Sequence, residues 1–407
     1  MGRRATVAAL GAAQTLAWAS SYYLPAILAA PMAADLGVST PTVFAAFSLA
    51  LAVSALVGTR AGAAIDRIGG RPVLMATSLV FALGLAGLGA SQGLYSLLAA
   101  WVLLGVAMGC GLYDSAFAAL VRLYGKDARS SITGVTLIAG FASTVGWPVT
   151  ALLEANFDWR VACFVWAALH LLVGLPLNWL LPEVRRAEAE AKATVAEPAV
   201  GAALPEPGSR APLVAAVSLG FVFAATSFVS TAMAAHLPGL MAAAGASAAT
   251  AVLVASLIGP AQVAARLLEF GLLRKVDPLL SARVAVAMHP VGAAALLAAG
   301  PVAAPLFGVV HGAGNGLMTI AKGTLPLSIF GTQGYGRRQG LLVAPARVSQ
   351  ALAPWLFGLV LASWSQWALV LTMSLGAMAM LALLAMRGTG PSETRSESPQ
   401  ESVGASR

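Results

Sequence analysis

The sequence predicts an all-α integral membrane protein with about twelve transmembrane helices, and three observations carry that expectation. The chain has 407 residues, of which 59% are hydrophobic and only 10% charged, with a mean hydropathy of +0.83. A soluble domain carries about 25% charged residues to cover its surface. The apolar residues gather into runs of about 20, the helix length that crosses a hydrocarbon core of about 30 Å. Finally, Lys and Arg concentrate in alternate loops.

The runs fall at 6–31, 42–63, 73–90, 95–120, 131–153, 160–181, 213–235, 248–270, 281–299, 302–326, 340–362 and 365–386. Many are apolar all round, so their helical period is weak, as in helices that face lipid or a protein interior. The first follows Arg3-Arg4 and is too long for the apolar core of a signal peptide. Met1-Gly2 through Thr6 also fits a myristoylation pattern, which is common by chance. The fourth and tenth carry glycine pairs, Gly105/Gly109 and Gly312/Gly316, which let helices approach closely. The fifth carries Gly140, Gly146 and Pro148, residues that bend helices. After the sixth, the pattern breaks into Glu183-Val-Arg185-Arg186 and an Ala/Pro/Glu stretch. Residues 183–211 therefore read as a polar linker between two halves, 1–182 and 212–387. The Ser/Glu-rich tail, 388–407, is expected to be disordered.

The halves share a register. Tyr124-Gly125, Gly134 and Pro148 recur at one constant offset as Phe330-Gly331, Gly340 and Pro354.

Of the 24 Lys and Arg, only Arg160 lies in one set of loops, while Arg266, Lys322 and Arg347 fall within spans. The rest sit in the N-terminal segment, the alternate loops and the span ends beside them (Arg60 and Arg283), the linker and the tail. This positive-inside bias puts both termini in the cytoplasm. It also accounts for the net charge of +8 without a nucleic-acid partner. Cys110 and Cys163 both fall in spans and suggest neither a disulfide framework nor a zinc site. With no nucleotide-binding fingerprint, paired acids, metal-ligand cluster or nucleophile–base constellation, an enzyme, an ATP-driven pump and a cofactor are not expected.

Between the second and third runs stands Gly62-Ala-Ala-Ile-Asp66-Arg67-Ile-Gly69-Gly-Arg71. The pattern G-x-x-x-D-R-x-G-x-R resembles the loop between helices two and three of major facilitator superfamily transporters. It departs at Gly70, where the family usually has a second basic residue. The resemblance covers about residues 5–387. It implies two six-helix bundles related by a pseudo-twofold axis, a cavity lined by helices one, four, seven and ten, and alternating access in a bacterial inner membrane. The partners it implies are the bilayer, a small solute and protons, and a monomer is expected. It also implies a conformational latch of Gly62, Asp66, Arg67, Gly69 and Arg71, with Arg67 and Arg71 as charge partners of Asp66. The two glycines would serve a tight turn and close packing. Glu269 holds the equivalent place in the second half.

A charged group at mid-membrane costs about 2.5–3.5 kcal/mol, so each calls for an explanation. Asp114 is the one acid well inside a span and the candidate for proton coupling. Its alternative is a structural salt bridge. Gln14, Tyr22, Tyr23, His311, Asn315, Lys322 and Arg347 are the candidates for the substrate cavity, while Arg266 most simply pairs with Glu269 three residues on. His170 and His289 are expected to be structural. Drug–proton antiporters of the superfamily carry an Arg four residues before a fourth-helix Gly, where this chain has Trp101 before Gly105. Basic residues in the eighth and eleventh runs resemble the carboxylate-handling branch. Thr15 to Pro25 and Gly140 to Pro148 resemble a bacterial branch that includes arsenite-efflux transporters. The first expectation is proton-coupled efflux of a small solute. The second is uptake or exchange of a small organic anion, and the third a transporter-like membrane sensor.

Overall fold

The computed structural model describes residues 1–125, 128–183, 210–271, 276–330 and 335–386. The linker expected at 183–211 (beyond Glu183 and before Arg210), the tail, Arg274-Lys275 and Gly331 lie outside the described residues. Sixteen α-helices run through the described chain. The first span is α1 (Arg3–Ser20) and α2 (Pro25–Leu36), and the second and third are α3 (Thr40–Ile68) and α4 (Gly70–Gly89). The fourth is α5 (Leu94–Gly111) and α6 (Tyr113–Tyr124), the fifth α7 (Ala128–Ala139) and α8 (Ala142–Asn156), the sixth α9 (Trp159–Leu169) and α10 (Leu175–Trp179). The seventh to twelfth are α11 (Arg210–Ala243), α12 (Ala248–Gly271), α13 (Pro278–Ala299), α14 (Ala304–Phe330), α15 (Tyr335–Trp364) and α16 (Leu369–Ala385).

Among the described residues, nine stretches are long and apolar enough to cross a bilayer, and two of them, Pro278–Phe330 and Leu341–Ala385, each hold two crossings. The broken segment α1–α2 completes twelve spans.

Several spans expected to be continuous are interrupted. The first unwinds between Ser20 and Pro25: Ser21 leaves the helical conformation, and Pro25 restarts the helix at its first position, where its missing N–H costs nothing. The fourth breaks at Leu112, whose backbone is extended, which puts Asp114 in the first turn of a new helix. The fifth breaks at Gly140-Phe141, while Pro148 stays inside α8. In the sixth, residues His170–Gly174 form a π-helical turn. Such turns often mark functional sites.

Each half packs chiefly on itself. α3 lies on α5 and α4 on α5 and α9 in the first, while α12 and α13 lie on α14 and α11 on α15 in the second. The glycine pairs perform one task twice. A Cβ at Gly105 would lie 2.5 Å from the Ala50 carbonyl oxygen, and one at Gly312 2.7 Å from that of Ile258. The fourth span therefore seats on the second as the tenth seats on the eighth, which makes the pseudo-twofold relation visible in packing. The halves meet along three seams: α15 on α3, α12 on α8, and α11 on α2.

The loop at 62–71 explains two of its glycines and not a third. Gly69 adopts φ +93°, a conformation that strains any residue with a Cβ. Gly70 opens α4 against Ala119, and any side chain there would collide. A Cβ at Gly62 would meet nothing within 4 Å. The close-packing glycine is thus Gly70, at the position that departs from the family pattern, and not Gly62.

Candidate functional site

A cavity holding about 1030 Å³ of empty space, part of it open to solvent, lies between the bundles. It is lined from the first, second, fourth, seventh, tenth and eleventh spans. Because alternate spans run in opposite directions, Asp114, Lys322 and Arg347 all lie in the half of the molecule nearer the 62–71 loop. Arg347 Nη2 donates to Asp114 Oδ2 at 2.8 Å, an ion pair between the two bundles. Both side chains are open, Asp114 at 65% and Arg347 at 48% exposure. Lys322 Nζ donates to Ser227 Oγ at 2.7 Å, linking the tenth and seventh spans.

The first bundle supplies an aromatic wall. The Trp18 ring lies 4.9 Å from both Tyr22 and Tyr113, and Tyr113 stacks on Phe117. Trp18 Nε1 is buried with no hydrogen-bond acceptor among the described residues.

The half of the cavity away from the 62–71 loop is closed by contacts between the bundles. Tyr22 Oη and Thr231 Oγ1 are 2.7 Å apart, the Trp355 amide donates to Ser48 Oγ at 3.1 Å, and Phe44 packs on His236 with ring centres 3.8 Å apart.

This geometry agrees with a family model, described as Major Facilitator Superfamily, that matches residues 10–306. The chain belongs to the Major Facilitator Superfamily. It is 33% identical over 146 residues to multidrug resistance protein MdtL of Shewanella oneidensis. That match takes in 35% of this chain and about a third of the relative's length, 36%. Two solved structures share the fold. A mutant of the nucleoside transporter NupG superposes with a TM-score of 0.75 at 12% identity, over 94% of this chain and 99% of that one. A bacterial homologue of the human lysosomal transporter Spinster superposes at 0.67 with 14% identity, over 93% and 95%. The molecule is therefore a multi-pass membrane transporter of small solutes and not an enzyme.

Of the residues expected to line the cavity, this facilitator brings Tyr22, Lys322 and Arg347 together, with Asp114. The others lie within the bundles. Gln14 sits inside the first, where its Nε2 donates to the Gly111 carbonyl at 2.7 Å and its Oε1 is buried without a partner among the described residues. His170 and Asn178 share that pocket, His170 Nε2 lying 2.8 Å from Ser20 Oγ. Tyr23 belongs to the unwound turn of the first span, and its carbonyl accepts from Trp147 Nε1 at 3.1 Å. His311 and Asn315 line the equivalent pocket in the second bundle. There His311 Nδ1 and His289 Nδ1 are 2.9 Å apart, His289 Nε2 and Thr372 Oγ1 are 2.8 Å apart, and Asn315 accepts from Ser230 Oγ. From the tenth span Lys322 lines the cavity, while His311 and Asn315, on nearly the same face of α14 but about two to three turns further from the 62–71 loop, open into the pocket of the second bundle. Trp18, Tyr113, Ser227 and Gln350 line the cavity without having been singled out for it; the four-residue spacing of Trp18 and Tyr22 on one helix is the signal that was available.

At the latch, Asp66 and Arg67 are exposed, and Asp66 makes no ion pair among the described residues. Arg122 donates to the Asp66 backbone carbonyl. Arg71 pairs with Glu183 at 3.5 Å and lies over the Trp179 ring, so Asp66 lacks the expected charge partners in this conformation. Glu269 accepts from Ser281 Oγ at 3.2 Å. Arg266 does not pair with Glu269. Its guanidinium reaches Thr136 and Thr319 instead.

Proposed function

We propose that this facilitator is a proton-coupled secondary transporter of the bacterial inner membrane, with both termini cytoplasmic and Asp114 as the coupling acid. The observation that carries the reading is the Asp114–Arg347 ion pair, which joins the two bundles inside the cavity they enclose. A proton on Asp114 removes the charge that holds Arg347. The protonation state thus acts on a contact that the rocking of the bundles must break and remake. With the 62–71 loop on the cytoplasmic side, the conformation is closed outward and exposes the pair inward.

The direction read first is efflux of a small solute, in keeping with the multidrug relative. An arsenite-like cargo finds no support in the cavity walls, since Cys163 is remote from them and Cys110 is not among the lining residues. The second reading is uptake or exchange of a small organic anion, favoured by Lys322 and Arg347 on one wall. The two readings differ in how cargo and proton share Asp114. An exported cation competes with the proton for it, whereas an anion takes Arg347 and leaves Asp114 free to be protonated.

The experiment is proton flux in proteoliposomes challenged with a solute panel under an imposed pH gradient. Wild-type protein gives solute-dependent proton movement, and Asp114→Asn abolishes it. Undiminished proton movement in the Asn variant would show that Asp114 is structural.

A further inference from the structure

The geometry points to Asp114 as a built-in stand-in for the carboxylate of the cargo, which makes the cargo a small organic anion with an apolar or aromatic body that binds together with a proton. The proposal rests on the second reading above.

The two walls of the cavity differ in chemistry. The second bundle brings two cations, Lys322 and Arg347, and the first brings the rings of Trp18, Tyr22 and Tyr113 with a single acid. A fully ionised empty cavity is therefore net positive. Asp114 occupies only one Arg347 nitrogen, Nη2, at 2.8 Å. A guanidinium offers a two-pronged fork to a carboxylate, so a free anion can make a better pair than the anchored one. The exposure of both partners means a solute can reach them without opening a packed core. The rings of Trp18, Tyr22 and Tyr113 pack on one another edge-on or tilted, at 62° and 44°, and together give this wall an aromatic, apolar patch for the body of the cargo.

The exchange balances in charge. The cargo's carboxylate takes the Arg347 N–H bonds, Asp114 loses its counter-ion, and its Oδ2 takes up one proton from bulk hydronium, which is left as water; no bond in the cargo breaks. The other titratable groups facing Asp114 are Lys322, Tyr22 and Tyr113 on the cavity walls, with Arg266 behind Tyr113. A lone ionised Asp114 on its ring-lined wall would have only Lys322 left to face. Anion and proton therefore bind cooperatively and move in the same direction.

The test uses the purified full chain and three flat probes of one shape: benzoate, benzamide and benzylammonium. Benzoate is expected to bind best and to take up about one proton, measured by calorimetry in buffers of different ionisation enthalpy. Its affinity then falls by about tenfold per pH unit once Asp114 must be protonated to admit it. Asp114→Asn should bind benzoate without proton uptake and with a flat pH profile. Arg347→Lys keeps the charge and loses the fork, so benzoate binding weakens while proton uptake per bound anion persists. Tighter binding of benzylammonium, binding of benzoate with no proton uptake, or binding of none of the three would overturn the proposal. Benzoate that binds with a proton yet is not moved across a vesicle membrane by a pH gradient would instead overturn the transport reading and leave the site standing.

Discussion

Arg266 of the eighth span reaches across the bundle seam and donates Nη1 to the carbonyl of Thr136 in the fifth span at 3.1 Å. Its Nη2 meets Thr319 Oγ1 at 3.3 Å, and its Nε has no partner among the described residues. Arg266 is only 8% exposed and makes no ion pair among the described residues. Thr136 stands one turn before the break at Gly140, and its carbonyl accepts the Arg266 N–H beside that of Gly140 at 3.0 Å.

A buried cation held by neutral acceptors is a poor contributor to stability, because its desolvation is not offset by an opposite charge. Its presence at the seam is better explained by the movement of the bundles. Arg266→Met is expected to leave the detergent melting temperature unchanged or raise it while transport falls. A variant that melts several degrees lower and transports normally would make Arg266 a structural fastener.

The paired glycines predict a packing cost that does not depend on transport chemistry. At Gly105 an added methyl would sit 2.5 Å from the Ala50 carbonyl oxygen and 2.9 Å from its Cα, both backbone atoms that cannot swing aside. Gly105→Ala should therefore cost about 1–3 kcal/mol, the usual range for overpacking. Gly87, on the third span, has only the Ala100 methyl at 3.9 Å, so Gly87→Ala is the matched control and is expected to be neutral or slightly stabilising. Thermal unfolding of both in detergent checks the contrast.

The twelve spans were legible because bilayer thickness imposes a run length that composition alone reveals. Their interruptions were less so. Of the helix-bending residues read in the fifth span, Gly140 marks the break and Pro148 does not, while the fourth breaks at Leu112, directly after Gly111, where no bend was expected. At the site, Asp114, Lys322 and Arg347 stood out because charge inside a span is costly. That cost does not say what a residue meets at its own depth. His311 and Lys322 share nearly one face of α14, and only the fold shows that His311 meets His289 of α13 inside the bundle while Lys322 opens on the cavity. Arg266 was assigned the nearest acid in sequence, whereas its partners come from the fifth and tenth spans, a long-range relation no local spacing encodes.

The proposed orientation makes a labelling prediction. A cysteine at Ala193, in the central linker, should react with an impermeant thiol reagent only in inside-out vesicles. One at Asn156, exposed beside the Asp158–Arg160 turn, should react in intact cells. Cys163 is buried and should stay silent, and replacing half-buried Cys110 with Ser removes the remaining background. Labelling of Ala193→Cys from outside intact cells would invert the topology.

The last prediction concerns the latch. In this conformation Asp66 is exposed, and only its backbone carbonyl is engaged, by Arg122. Asp66→Asn should therefore change the stability of this conformation by no more than about 0.5 kcal/mol, as for other exposed side chains. A charge that acts only when the bundle ends approach would instead shift the balance between conformations. A cysteine at Ala55, on the cavity wall, reports that balance. If Asp66 holds the cytoplasmic end shut in the alternate state, its loss leaves that end open longer. Ala55→Cys is then alkylated faster from the cytoplasmic side, and transport slows. Glu269→Gln in the second half should act in the same direction. If the two acids share one closure, the double variant falls short of the sum of the singles. Unchanged alkylation together with wild-type transport in Asp66→Asn would remove the latch role from this residue.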